Sequence, residues 1–240
     1  MIRSTFSRLY IFATVALLVA LSGCIEITER IRFNEDQSGS FEIEYDMSKL
    51  KQTMEMFAAM DTTGEASSEM ENPMEDANMD EKTNRLESVQ GVSNVKYDMD
   101  TSTFIFAVSF DFEDIDALNR GLRELNREYD DDGNPIEEEG DDHEHWIVEG
   151  NSLVREAAFG NELGESDEEM SEEEAAQQRQ MMQSMFADAY YTTVITFPDA
   201  VKDIDSEYAA TAQGGREVTV KVPMADLMEN PQAISARFDF

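Results

Sequence analysis

Three stretches of this sequence switch, within ten residues, from the two-residue period of a strand to the spacing of a helix. In Phe41-Glu42-Ile43-Glu44-Tyr45-Asp46-Met47 apolar and polar residues alternate, and Leu50 follows three positions on. Phe106-Ala107-Val108-Ser109-Phe110-Asp111-Phe112 leads in the same way to Ile115, and Val218-Thr219-Val220-Lys221-Val222-Pro223-Met224 to Leu227. Alternation gathers one set of side chains on one face of a sheet, and helical spacing then lets the chain fold back over that face. Each stretch follows a turn, near Gly39, Asp100 and Gly214-Gly215. The pattern predicts an α+β fold: an antiparallel sheet built from β-hairpins, with helices packed on one face in repeated ββα-like units. Any hairpin-to-helix junction produces the same spacing, and that simpler account predicts the same architecture.

The remaining segments fit this plan. Ile25, Ile27, Ile31 and Phe33 alternate with polar residues, and Asn34-Glu35-Asp36-Gln37-Ser38-Gly39 is a turn cluster before the strand at Phe41. Leu50, Met54 and Phe57 have helical spacing. A second hairpin is expected from Val92 to Phe112, with Phe104, Phe106, Val108, Phe110 and Phe112 on one face of its outgoing strand. Ile115, Leu118, Leu122 and Leu125 predict an amphipathic helix to about Glu128. Trp146-Ile147-Val148 and Leu153-Val154 flank a third hairpin turn, and Ser171 with Glu174 resembles a capping box opening a helix through Met182, Met185 and Phe186. Strands return at 190–197, 216–222 and 233–240. Acidic, loop-like stretches occupy 61–80 and 129–142.

The first 23 residues stand apart. Arg3 and Arg8 precede an apolar run from Leu9 to Leu21, and Leu21-Ser22-Gly23 leads into Cys24, the only cysteine of the chain. That run has signal-peptide length, well below the ~20 residues of a spanning helix. Leu21-Ser22-Gly23-Cys24 resembles the lipobox of bacterial lipoproteins. The resemblance implies cleavage before Cys24, a diacylglyceryl group on its thiol, and acylation of the new amino terminus. Residues 1–23 are then a lipoprotein signal peptide and 24–240 a single α+β envelope domain. An ordinary secretory signal is the alternative. With Cys24 lipidated no thiol remains for a disulfide, a thiolate metal site or a cysteine nucleophile.

Charge narrows the partners. Lys and Arg number 18 against 53 Asp and Glu, for a net charge of −35. Such a surface repels nucleic acid and anionic headgroups. Arginine also outnumbers lysine, the balance that proteins of salt-loving organisms show. The charge is read mainly as habitat, with salt screening the self-repulsion.

No catalytic signature is present: no glycine-rich phosphate loop, no G-x-S-x-G, no H-E-x-x-H. The chain is therefore read as non-enzymatic and without a resident cofactor. Calcium is the first candidate ion. Read as a twelve-residue loop, Glu128, Asp130 and Asp132 take the first, third and fifth positions, Asn134 the seventh and Glu139 the bidentate twelfth, with Gly133 at the sharp turn. Glu at the first position and Pro135 at the eighth depart from the pattern, and a solvated acidic loop is the alternative. His143 and His145 fall on one face of an extended segment, where they either share a transition metal or form a polar strand entrance. Fifteen methionines, with Met54, Met56 and Met60 in one group and Met181, Met182 and Met185 in another, suit either an ordinary core or an adaptable apolar surface.

The opening Cys24-Ile25-Glu26-Ile27, leading to Ile31-Arg32-Phe33-Asn34-Glu35-Asp36-Gln37-Ser38-Gly39-Ser40-Phe41, resembles LppM-type bacterial lipoproteins. Tyr191-Thr192-Thr193-Val194-Ile195-Thr196-Phe197-Pro198 is similar to their late strand and proline turn. The resemblance implies a two-layer α/β domain associated with envelope lipids and brings no catalytic residues. The sequence thus predicts a lipid-anchored binding module for an apolar or lipid ligand. The alternative is a structural lipoprotein that docks an envelope protein. Its expected place is the periplasmic side of an outer membrane, since residue 25 is Ile rather than the retention aspartate, or the outer face of a single membrane.

Overall fold

A computed structural model describes residues 25–49, 51, 79–127, 129, 134–136, 143–157, 186 and 189–240. Strands β1 (Glu26–Phe33) and β2 (Gly39–Asp46) form the first hairpin, and helix α1 (Met79–Glu87) precedes β3 (Val92–Asp100) and β4 (Ile105–Phe112). Helix α2 (Ile115–Asn126), β5 (Trp146–Glu149), β6 (Ser152–Arg155) and β7 (Tyr190–Thr196) follow. The chain then runs through β8 (Asp203–Asp205), β9 (Ala209–Ala212), β10 (Glu217–Pro223), α3 (Met224–Glu229), a 3-10 turn at Pro231–Ile234, and β11 (Ala236–Asp239).

The α+β class holds, with strands predominating over helices. The larger sheet has seven strands in the order β3-β4-β2-β1-β7-β10-β9. It is mixed rather than antiparallel, because β1 and β7 run parallel from Ile27 opposite Tyr191 to Arg32 opposite Thr196. Hairpin patterning reports only on neighbours in sequence. A parallel pair needs a long crossover, and the chain between β2 and β7 supplies it. A second, four-stranded sheet, β5-β6-β11-β8, was also unanticipated. The strand-to-helix passages occur at β4–α2 and β10–α3, but the sheet order reveals no repeated ββα unit. Ser48, Lys49 and Lys51 are helical, and the rest of the helix expected through Met54 and Phe57 lies outside the described residues. So do both methionine groups and the capping-box helix except Phe186, which sits in a bend.

One face of the large sheet is apolar by alternation. Ile31, Phe41, Val108, Phe110, Ile195, Val218 and Val220 are all at most 2% exposed. Helix α2 covers part of this face through Ile115, Leu118 and Leu122, and it starts where the Asp114 carboxylate accepts the Ala117 N–H at 2.7 Å. Gly121 permits the close approach, since a Cβ there would lie 2.8 Å from the Phe110 ring. The small sheet covers another part, joined by aromatic contacts. Phe33 meets Trp146 at 5.7 Å and Phe197 at 5.8 Å, and Phe197 meets Phe238 at 5.3 Å between ring centroids. Phe104 departs from expectation: at φ 59° it belongs to the turn, not to the face of β4. Helix α1 begins inside the stretch read as an acidic loop, and the expected strand from 233 opens instead with the 3-10 turn. Among the described residues no helix is long and apolar enough to cross a membrane.

Candidate functional site

Alternation along β1 places residue 29 on the apolar face between Ile27 and Ile31, yet residue 29 is a glutamate. Its carboxylate is met from the small sheet by Arg155 at 2.5 Å, with the two side chains 3% and 7% exposed. Two hydroxyls from β7 donate to the same Glu29 Oε2, Thr193 at 3.0 Å and Tyr191 at 3.3 Å. Arg155 also donates to Thr193 Oγ1. The Tyr191 and Trp146 rings flank the guanidinium at 5.5 and 5.8 Å. Burial, reinforced by the Glu29 charge, holds the Tyr191 hydroxyl well above the usual phenol range, and the same causes push Tyr45 up to about 12. The cluster ties the central strand of the large sheet to β6. A charged residue among apolar alternates was its signal in the sequence, and the reading of Ile25, Ile27, Ile31 and Phe33 passed over it.

The two histidines lie beside this cluster, their ring centroids 5.4 Å apart and nearly perpendicular. His143 Nε2 is buried without a hydrogen-bond partner. Burial first, then His143, Arg155 and Arg123, lowers the His145 pKa from 6.5 to about 3. The same two arginines oppose a metal cation at this pair. An unfolded chain protonates His145 near pH 6.5, while the folded protein keeps it neutral. Its contribution to stability is therefore complete above pH 6.5 and is lost as pH falls from there toward 3. Urea midpoints measured from pH 7 to 4 should fall more steeply for the native protein than for His145→Gln. Equal slopes would remove His145 as a source of acid sensitivity.

An open cleft of about 570 Å³ lies where β6 and β11 meet the β8–β9 link and α3. Glu156, Asp205, Glu207, Asp226 and Glu229 give it five carboxylates. Its two arginines already have anionic partners, Arg155 on Glu29 and Arg237 on Glu149 at 2.6 Å. Tyr208 donates to Asp226 at 2.9 Å, and that bond, followed by burial, raises the Tyr208 pKa. The lining is polar, so the cleft suits cationic groups better than an acyl chain.

Of the residues singled out in the sequence, Asn134 is exposed, and an isolated antiparallel bridge pairs Tyr129 with Pro135. Glu128, Asp130, Asp132 and Glu139 lie outside the described residues, as does Cys24. Among the described residues no group of three His, Cys, Asp or Glu side chains converges as a metal site would.

No family model and no curated protein matches this sequence. Among solved structures the fold is similar to the NMR structure of the folded domain of LppM from Mycobacterium tuberculosis, with a TM-score of 0.42 and 12% identity over 91% of each chain. Neither family membership nor a ligand follows from a likeness at that level.

Proposed function

We propose that this chain is a non-catalytic bacterial envelope protein, anchored by acylation of Cys24, whose folded body docks another envelope protein. The observation that carries the docking part is the filled interior among the described residues. Phe33, Phe112, Trp146, Phe197 and Phe238 occupy the space between the sheets where an acyl chain would otherwise lie. Lipid sites are concave and mostly apolar, whereas the cleft that is present here is open and lined by carboxylates. The anchor rests on Leu21-Ser22-Gly23-Cys24 after a signal-length apolar run. Two or three acyl chains give stable attachment where a single chain does not.

Cells expressing the full chain with a labelled palmitate analogue test the anchor. The native protein should take up label and sediment with membranes, and Cys24→Ala should do neither. An unlabelled native protein would end the anchor reading. Native mass spectrometry of the full chain from mild detergent tests the body. A lipid mass that survives there, and is lost on denaturation, would replace docking by lipid binding.

A further inference from the structure

We propose that the exposed edge of the seven-stranded sheet, strand β9, takes up an extended basic segment of a partner protein as an eighth strand, with its Lys or Arg side chains on the carboxylates of the adjoining cleft. This rests on the docking reading above and names its site.

The direction of the backbone groups follows from register. Ala209 to Ala212 lie opposite Val220 to Glu217, so Tyr208 lies opposite Lys221. The Lys221 N–H donates to the Tyr208 carbonyl at 3.2 Å, which marks that pair as hydrogen-bonded. Antiparallel ladders alternate, so Ala210 and Ala212 also turn their peptide groups toward β10. Ala209 and Thr211 turn theirs outward, at the last strand of the sheet among the described residues.

The other edges are protected. Strand β3 is bulged between Ser93 and Lys96, with Asn94 at φ 55°, and carries Lys96, Asp98 and Asp100. Strand β8 has Asp203 and Asp205 at its two ends. On β5, the Asn119 carboxamide accepts the outward Trp146 N–H at 2.9 Å and donates to its carbonyl at 2.7 Å, as a neighbouring strand would. Strand β9 reads Ala-Ala-Thr-Ala, with no charge, proline or bulge, and is exposed from Ala210 onward. Proteins ordinarily blunt such an edge. Small side chains on both faces leave room for an incoming backbone.

Two outward residues offer few hydrogen bonds, and each adds little once the bonds lost to water are counted. Side chains must add to the affinity, and the cleft adjoins the start of β9 at Tyr208. A segment continuing past Ala209 meets Glu207, Asp205, Asp226 and Glu229. Cations fit there. A second copy of this chain, with 53 acidic residues against 18 basic ones, is poorly supplied with the cations those carboxylates would take.

The test uses the full chain in mild detergent and two capped peptides of equal charge, one alternating lysine with valine and one alternating lysine with proline. The valine peptide should bind at least about tenfold more tightly, because the proline peptide lacks the donors a strand needs. Amide exchange at Ala209 and Thr211 should slow by a similar factor, and Thr211→Pro should abolish the preference. That substitution removes an outward N–H and no ladder bond. Should Thr211→Pro not fold, Asp205→Asn with Glu207→Gln should weaken the valine peptide and flatten its salt dependence. Equal binding of the two peptides, protection elsewhere, no binding, or a doubled mass of the protein itself would each overturn the proposal. The docking reading fails on a different result, retention of a lipid by the native protein.

Discussion

Arg155→Met lowers the unfolding free energy by about 3–5 kcal/mol, because it leaves the Glu29 carboxylate buried without its counter-ion. Glu29 is 3% exposed, and water cannot replace the guanidinium without opening the seam between the sheets. The Thr193 and Tyr191 hydroxyls remain as donors but carry no charge to offset it. The double variant Glu29→Leu/Arg155→Met should recover most of the loss, since apolar residues of similar volume commonly replace buried ion pairs at little cost. Urea unfolding at neutral pH gives all the required values. A double variant as unstable as the sum of the two single variants would show that the residues do not act as a pair.

Phe238→Ala should cost a comparable 3–5 kcal/mol, through packing rather than charge. Phe238 is fully buried on β11 and touches both Phe197 and Trp146, so truncation opens a void in the contact between the sheets. Loss of near-ultraviolet circular dichroism from Trp146, with a lowered urea midpoint, would report it. On the same sheet Val148 is 49% exposed, and Val148→Ala should change stability by no more than about 0.5 kcal/mol. Similar effects at the two positions would mean that the small sheet does not pack as described.

The legible parts of the fold were those where neighbours in sequence are neighbours in space. Hairpins β1–β2, β3–β4 and β5–β6 and helix α2 each advertise a period and a turn, and all were read within a few residues. The β1–β7 pairing was not, because nothing local in Ile27–Arg32 or Tyr191–Thr196 specifies a partner so far along the chain. Helix α1 was missed for a different reason: beyond Met79 at its start, Leu86 is its one apolar residue, too few to show a periodic face. Strands β8 and β9 are too short for alternation to declare itself. The buried cluster was half legible, in that Glu29 breaks an apolar series. Its partner was not, since Arg155 looks like any charged residue after Leu153-Val154 until β6 is laid against β1. The cleft had no sequence signal, being assembled from strand ends, a link and a helix.

Strand register can also serve as a height gauge. Strand β1 is the middle strand of seven and begins at Glu26, so an acylated Cys24 leaves Ile25 as the only slack between bilayer and sheet. On the proposed anchor such a body would have no long leash, and β1 would carry the chain about 26 Å from its base at 3.3 Å per residue. Counting across the rungs, Ala209 lies level with Val220, Thr193 and Glu29, and Ala212 level with Glu217, Thr196 and Arg32. With that anchor, the β9 edge would start about 16 Å along the strand direction from Cys24 and run away from it. A partner strand would have to arrive upright, at that height, from a protein fixed in the same bilayer or reaching down toward it.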